Sequence, residues 1–594
     1  MLYDAWTSKE LVILKPLSGP DDPKLRLPIE TLMSDLNYKI QRDLFLQGFA
    51  NVQRIKYNDP KSFYAVAGIH GLPYEPYNED GEMTGGYCHH GDTLFPTWHR
   101  PYVSLLEMLI YDEASDIVKG YPDDREEKNI YQKGLEDVRF PYWDWASPST
   151  LCQGMPSVLS EEYVTVTTLR DTGEEEIRIR NPLRAYTLPV NLGTMGSVGD
   201  TSNPTQRPYD PDACITPYTP SGYATVRHPN ENYLSNMDST NLEIVRSCSS
   251  KFRPSICDIL LVEDWLYFSN HNNETNEDDK DYKHYSSIEG VHDSVHDAIG
   301  GLGGHMGYTD IAGFDPIFFL HHANVDRLVA IWQAIHPDHP DSWIIGDDKL
   351  APLKPFLKTE TEYWTSDDVR NIKNLGYTYP ELKDPISPKE LLKDMLNYYQ
   401  PIPNSNIKWK LTITVKKNKV GSPFQVRAFI DLPTRSTDSS TPPITSPNFA
   451  GFVSIFARGS ETNCEKCKSS QDAVVNGEID LTACMQRLGI INKKNKKVYK
   501  PLPKPKNDQS RQPEYDPSRQ SEYDPSLQHT PKDLNERITL MFVLKDNSRL
   551  SFKNVGFKSA GCWEIDYSEN ITNPNYNYLG GIVPDVIKKQ PSLL

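Results

Sequence analysis

Seven histidines fall into two sets along this chain, His70, His90 and His99 early and His292, His296 and the doublet His321–His322 much later, and any fold must bring both sets indoors. Their contexts are apolar. His70 follows AVAGI, His90 and His99 bracket TLFPTW, and the doublet His321–His322 lies in FDPIFFLHHANVDRL. Burying so many imidazoles without a metal or polar partners is costly. His292 and His296, four apart in IEGVHDSVHDAIGG, share one face of a helix with Cβ atoms about 5–6 Å apart. In the doublet the two rings point about 100° apart, so only one readily joins that pair.

The metal follows from the donor set. A zinc-protease helix needs Glu directly after its first His, whereas Asp293 stands there. Ligation by imidazole without a carboxylate or thiolate set suits copper or zinc rather than magnesium or calcium, and two equivalent trios point to a pair of copper ions. His228, His271, His284, His336, His339 and His529 sit in polar or Pro-rich contexts and are expected in solvent.

A chain of 594 residues exceeds one ordinary core, so two or more domains are expected. Residues 1–382 carry nearly all the histidines and the helical patterns. In one of these Asp315 suits a cap with Pro316 in the first turn; in the other Pro101 suits a first turn after His99. Residues 155–285 read as long loops with short strand-like pieces, and 383–405, punctuated by Pro and Lys, as a linker. From 406 to 594 apolar residues alternate, as at Trp409, Leu411, Ile413 and Val415, which predicts an all-β sandwich. A Lys/Pro/Gln-rich insertion at about 493–533, with a tandem repeat (RQPEYDPS, RQSEYDPS), is expected to be disordered.

The net charge of −18 argues against nucleic acid and anionic lipid as partners and favours a small molecule. No apolar run is long enough for a membrane span. The amino terminus lacks the features of a secretory signal, so a cytoplasmic location is expected, which fits nine cysteines without dense spacing.

The motifs IHGLPYEP, YCHHGDTLFPTWHRPYV and FDPIFFLHHANVDRL, joined by FPYWDWA, NPLRAY and GYTYPEL, resemble landmarks of the type-3 copper proteins, specifically the ascomycete tyrosinases and polyphenol oxidases. That resemblance implies a mainly α catalytic domain with a four-helix dicopper core and a β-sandwich lid. The first copper would be held by His70, His90 and His99, the second by His292, His296 and His322, with His321 behind them. It implies a thioether between Cys88 and His90, and Glu289 and Asp293 as the residues that hold a water and accept the phenol proton. Thr309 falls at the gate position above the second copper. From the lid, Phe456 is the candidate plug of the substrate pocket, ahead of Phe452, and Cys464 and Cys467 would assist copper delivery. Tyr377 and Tyr379 would close the catalytic body, with Arg26 tying the amino terminus to them.

The activity implied is that of a zymogen that uses O2 to hydroxylate monophenols and oxidise o-diphenols, for melanin or a secondary metabolite, with a homo-oligomer and a monomer both open. The alternatives are a catechol or o-aminophenol oxidase that cannot hydroxylate monophenols, and a haemocyanin-like oxygen carrier.

Overall fold

The computed structural model describes residues 11–78, 86–189, 223–232, 234–272, 286–337, 339–399, 407–432, 442–457, 473–491, 534, 537–544, 548–550, 555–566 and 575–582. The expected insertion at 493–533, His284, His529, Cys464 and Cys467 lie outside them.

The catalytic body is built on helices α1 (Lys39–Val52), α2 (Phe63–Gly68), α3 (Phe95–Lys119), α4 (Met237–Ser247), α5 (Ile288–Gly300) and α6 (Ile317–Ile335). Helix α1 packs on α3, α3 on α6, and α6 on α5, which makes a four-helix core of the kind that presents metal ligands inward. Helix α6 is buried from Ile317 to Trp332, with apolar residues spread around it and its charged Asp326 and Arg327 paired with Arg100 and Asp144. Asp315 precedes it as expected, and its Oδ1 accepts from Ile317 N at 3.3 Å, but the carboxylate chiefly pairs with buried Arg227, at 2.7 Å.

Helix α3 begins earlier than the sequence suggests. Pro96 takes the first-turn position and Pro101 lies inside the helix, where its missing N–H leaves the Thr97 carbonyl without its helical donor. The helix survives that loss because every residue from Phe95 to Ile110 is buried against its neighbours.

Two more expectations are corrected. Among the described residues, 155–285 hold more regular structure than expected: Tyr163–Arg170 (β1) and Gly173–Arg180 (β2) form a regular antiparallel hairpin whose turn uses Gly173 at φ +115°, and α4 and two short helices, Arg253–Ile259 and Trp265–Ser269, follow. The alternation in YVTV and IRIR marks the two strands, but charge dilutes it. Residues 388–399, within the expected linker, do not run as an exposed connection. Pro388–Tyr399 is helix α7, which buries Leu391, Met395 and Tyr399, four apart, on the catalytic body. The Tyr399 hydroxyl accepts from Arg327 at 2.9 Å and donates to Asp144 at 3.2 Å.

The second domain is a sandwich of two antiparallel sheets. Its strands are β3 (Ile407–Lys416), β4 (Phe424–Ile430), β5 (Phe449–Ile455), β6 (Val474–Asp480), β7 (Ile538–Leu544), β8 (Phe557–Asp566) and β9 (Asn575–Gly581). The order is β6-β3-β8-β9 in one sheet and β5-β4-β7 in the other. Trp409, Leu411, Ile413 and Val415 meet Val426, Ile430, Val453 and Ile455 in a shared core.

The sandwich sits on the catalytic body through polar anchors. Lys410 bridges Asp258 at 3.0 Å and Glu478 at 2.9 Å, Ser454 donates to Asp297 at 2.8 Å, and Asn476 N donates to the His271 carbonyl at 2.9 Å. At the other end Arg26 ties the amino-terminal segment down: its guanidinium stacks 3.5 Å over Tyr377, reaches the Tyr379 hydroxyl at 3.4 Å and pairs with Glu107 at 2.9 Å.

Candidate metal centre

The histidines reach the site from several elements. His70 follows α2, whose first turn is capped by Ser62 accepting from Ala65 N. His90 lies on the loop before α3, His99 in the first turns of α3, His292 and His296 one turn apart on α5, and His321 and His322 on α6. Helix α5 is started by Ser287, whose hydroxyl accepts from Gly290 N at 3.1 Å.

In four of the imidazoles the Nδ1 faces an acceptor in the surrounding shell. His70 meets the Thr309 carbonyl at 2.8 Å, His99 the Phe95 carbonyl at 2.8 Å, His296 the Met306 carbonyl at 2.8 Å, and His292 the Asp293 carboxylate at 3.0 Å. Donation from Nδ1 leaves the Nε2 lone pair for a ligand. The Nε2 of His99 and of His292, and both ring nitrogens of His321 and His322, are buried without a hydrogen-bond partner among the described residues.

The two sets converge. The ligand atoms of His292, His296, His321 and His322 lie within 4.8 Å of one another, as do those of His70, Cys88 and His90. His99 sits 5.7 Å from His70 and 5.4 Å from His90 between ring centroids, and stacks on His322 at 4.3 Å and 10°. His322 therefore faces the first trio. His321, by contrast, stacks with His292 at 5.0 Å and lies 6.1 Å from Trp145, on the far side of the second trio. Both members of the doublet come close to His292 and His296, more than their angular separation on a helix suggests.

Burial pushes His99 down to about 3 and holds His292, His321 and His322 well below the usual imidazole value. All are neutral at physiological pH, the form a metal requires. Neutral imidazoles with unsatisfied inward nitrogens fit a pair of copper ions.

Behind the second trio lies an acidic pocket. Glu289 accepts from Gly91 N at 2.7 Å with one oxygen and from His271 N at 3.4 Å with the other, so it tethers the loop that carries His90. Asp293 gives one oxygen to His292 and has the other 3.5 Å from His271 Nδ1. Burial raises Glu289 to about 7 and Asp293 well above the carboxylate range, with Lys417 of the sandwich opposing both shifts.

His271 corrects an expectation. It is fully buried rather than solvated, because the lid closes over the polar segment that carries it. His228 and His336 are also half-buried, each with Nε2 on a backbone carbonyl, Ala298 and Leu260 respectively. His339 is half-buried with Nε2 3.4 Å from Glu263. Sequence reasoning passed over His305, which is buried, accepts from Val226 N at 3.1 Å and is pushed down to about 4 by burial; no local pattern marks it.

The remaining expected residues fall as follows. Thr309 is buried, and its carbonyl faces His70 Nδ1 of the first trio at 2.8 Å. Cys88 is buried beside His70 and His90. Phe456 is 3 % exposed and stacks on His296 at 4.5 Å and 24°, edge-on to His292 at 6.2 Å. Phe452 instead lines a cleft with Glu243, Arg246 and Gln425 at the domain seam.

Residues 60–335 match the family model described as the common central domain of tyrosinase, and 408–502 the tyrosinase C-terminal domain. Polyphenol oxidase 4 of Agaricus bisporus is 27% identical over 499 residues, 75% of this chain and 74% of that protein. A tyrosinase of Neurospora crassa is 33% identical over 382 residues, 60% of this chain and about half (52%) of that protein. Among solved structures, the apo form of Aspergillus oryzae pro-tyrosinase superposes with a TM-score of 0.72 at 21% identity, covering 97% of this chain and 98% of that one. A recombinant mushroom tyrosinase gives 0.68 at 23% identity, covering 95% and 97%.

Proposed function

This chain belongs to the tyrosinase family, and from that premise we propose that it is a latent dicopper phenol oxidase that hydroxylates monophenols at the ortho position and oxidises o-diphenols to o-quinones. The observation that carries the reading is the face-to-face packing of His99 and His322, which sets one histidine trio against the other. We assign His70, His90 and His99 to one copper and His292, His296 and His322 to the other, with His321 supporting the second set. When bound, the metal pair supplies the redox chemistry on O2.

The chain's own residues position and protect that chemistry. The Nδ1 anchors fix each ring's tautomer and direction. A phenol has a pKa near 10, so its hydroxylation gains from a base beside the metal. Asp293 suits the role better than Glu289: both Glu289 oxygens accept backbone amides, from Gly91 and His271, whereas Asp293 lies directly against the ligand His292. Phe456 occupies the face of His296 on which an incoming phenol ring would stack, which supports latency. We also propose the Cys88–His90 thioether: one C–S bond forms, and S–H and C–H are lost as two hydrogens with O2 as oxidant. Intact mass of copper-loaded protein then falls by about two mass units, and no change rules the bond out.

The test is to load copper, cut the chain within residues 400–406, and assay tyramine and catechol. Quinone from both, rising on cleavage, supports the proposal; no quinone from catechol sinks it. Catechol turnover alone selects the oxidase that cannot hydroxylate, and reversible O2 binding without quinone selects the carrier.

A further inference from the structure

The lid reaches the metal centre with a second side chain. Lys417, the residue after β3, is 7 % exposed, and its backbone N is held by the Ala473 carbonyl at 2.8 Å. Its Nζ lies 3.2 Å from His271 Nε2 and 3.6 Å from Glu289 Oε1. An ammonium has only donors, so His271 Nε2 accepts and the imidazole proton sits on Nδ1. That proton faces Asp293 Oδ2 at 3.5 Å, while Asp293 Oδ1 accepts from His292 at 3.0 Å. One line of polar contacts thus runs from a lid ammonium through His271 and Asp293 to a histidine of the second trio.

The contacts are built from both domains. His271 is clamped at its carbonyl by Asn476 N, and its neighbour Asn272 accepts from Val474 N at 3.1 Å, both on lid strand β6. The Phe456 amide also points to Asp293. Among the described residues Lys417 is the cation in contact with the Glu289–Asp293 pair.

We propose that Lys417 is a second latency element with a task separate from that of Phe456. Phe456 fills the ring pocket. Lys417 fixes the His271 tautomer so that its Nδ1 proton faces Asp293 Oδ2 at 3.5 Å, which sets a positive hydrogen against the oxygen that would receive a phenol's proton. The inference rests on the phenol-oxidase reading of the site. It makes the lid a discriminator between substrates: opening the ring pocket alone admits o-diphenols, which present two hydroxyls to the metals, while monophenol hydroxylation waits until the lysine withdraws.

The test uses full-length, copper-loaded variants. Phe456→Ala removes the ring and keeps both the amide and Lys417. It is expected to oxidise catechol while its tyramine-to-catechol rate ratio stays on the order of a hundredfold below that of the cleaved protein, the scale of a positioned base. Adding Lys417→Met, which keeps most of the apolar stem, restores the ratio. The proposal is overturned if Phe456→Ala alone hydroxylates tyramine at the cleaved protein's ratio, or if the double variant still does not.

A second readout needs neither copper nor turnover. After cleavage within 400–406 the copper-free Lys417→Met protein sheds its lid at least about thirtyfold faster than the unsubstituted protein, as loss of one partner of a buried pair requires. Equal retention overturns the lock. If the cleaved protein turns over neither phenol, the oxidase reading falls, and lid release alone decides the lock.

Discussion

Asp326→Asn tests what holds the second trio's helix in place. Asp326 lies one turn beyond His322 on α6 and is buried. It accepts from Arg100 Nε at 2.5 Å, from Arg26 Nη1 at 3.3 Å, and from the hydroxyls of Tyr377 and Tyr379 at 2.6 Å each. Burial pushes its pKa up, but Arg100, Arg26 and the two tyrosines hold it below the usual carboxylate value, so the group is ionised at neutral pH. In the variant Arg26 retains Glu107, at 2.9 and 3.1 Å, whereas Arg100 keeps only neutral acceptors: the carbonyls of Val369 and Arg370 and the Gln333 amide. One guanidinium is left buried and uncompensated, at a cost of about 3–5 kcal/mol. For a domain of this size that lowers the melting temperature by roughly 4–6 °C. Calorimetry of the copper-free full chain reads the shift. Replacing Arg100 with Met in the same background recovers part of the loss, since removing both charges is less costly than orphaning one. A loss under about 1 kcal/mol would mean that the pair is effectively solvated and the argument wrong.

Glu289→Ala removes the acceptor for Gly91 N and His271 N, so the His90 loop loosens and copper affinity at the first trio falls by about 10–100-fold, read by competition with a chelator. A variant that binds copper unchanged would show that the tether is dispensable. His305 is held at about 4 by burial, against about 6.5 when unfolded. Between those values the unfolded chain takes up a proton that the folded chain refuses. Stability therefore falls as pH drops through that window, by at most about 3 kcal/mol, and is unaffected above it. Urea unfolding of copper-free His305→Gln should accordingly show a flatter acid limb than the unsubstituted protein; parallel limbs would refute the assignment.

What the sequence made legible was what repeats locally. The i, i+4 pair His292 and His296, the apolar flanks of His70, His90 and His99, and the alternation from Trp409 to Val415 each report an environment within a few residues, and the structure buries those residues, His90 only by half. Phe456, named from a resemblance, lies on His296. The misreadings share a cause. His271 reads as solvated because its neighbours are polar, yet its burial comes from lid residues such as Lys417 and Asn476 far along the chain. Residues 388–399 read as linker because Pro and Lys dominate the eye, while the spacing of Leu391, Met395 and Tyr399 gave a helix with one buried face. Pro101 was given a helix start that belongs to Pro96, since burial of the whole of α3 outweighs one missing hydrogen bond.

The central claim is that six named imidazoles hold two copper ions between them. Anomalous diffraction from copper-loaded crystals, collected on either side of the copper absorption edge, tests it directly. The account predicts two peaks, one bounded by His70, His90 and His99 and the other by His292, His296 and His322. A single peak, or a second ion bound by His321 in place of His322, would contradict it.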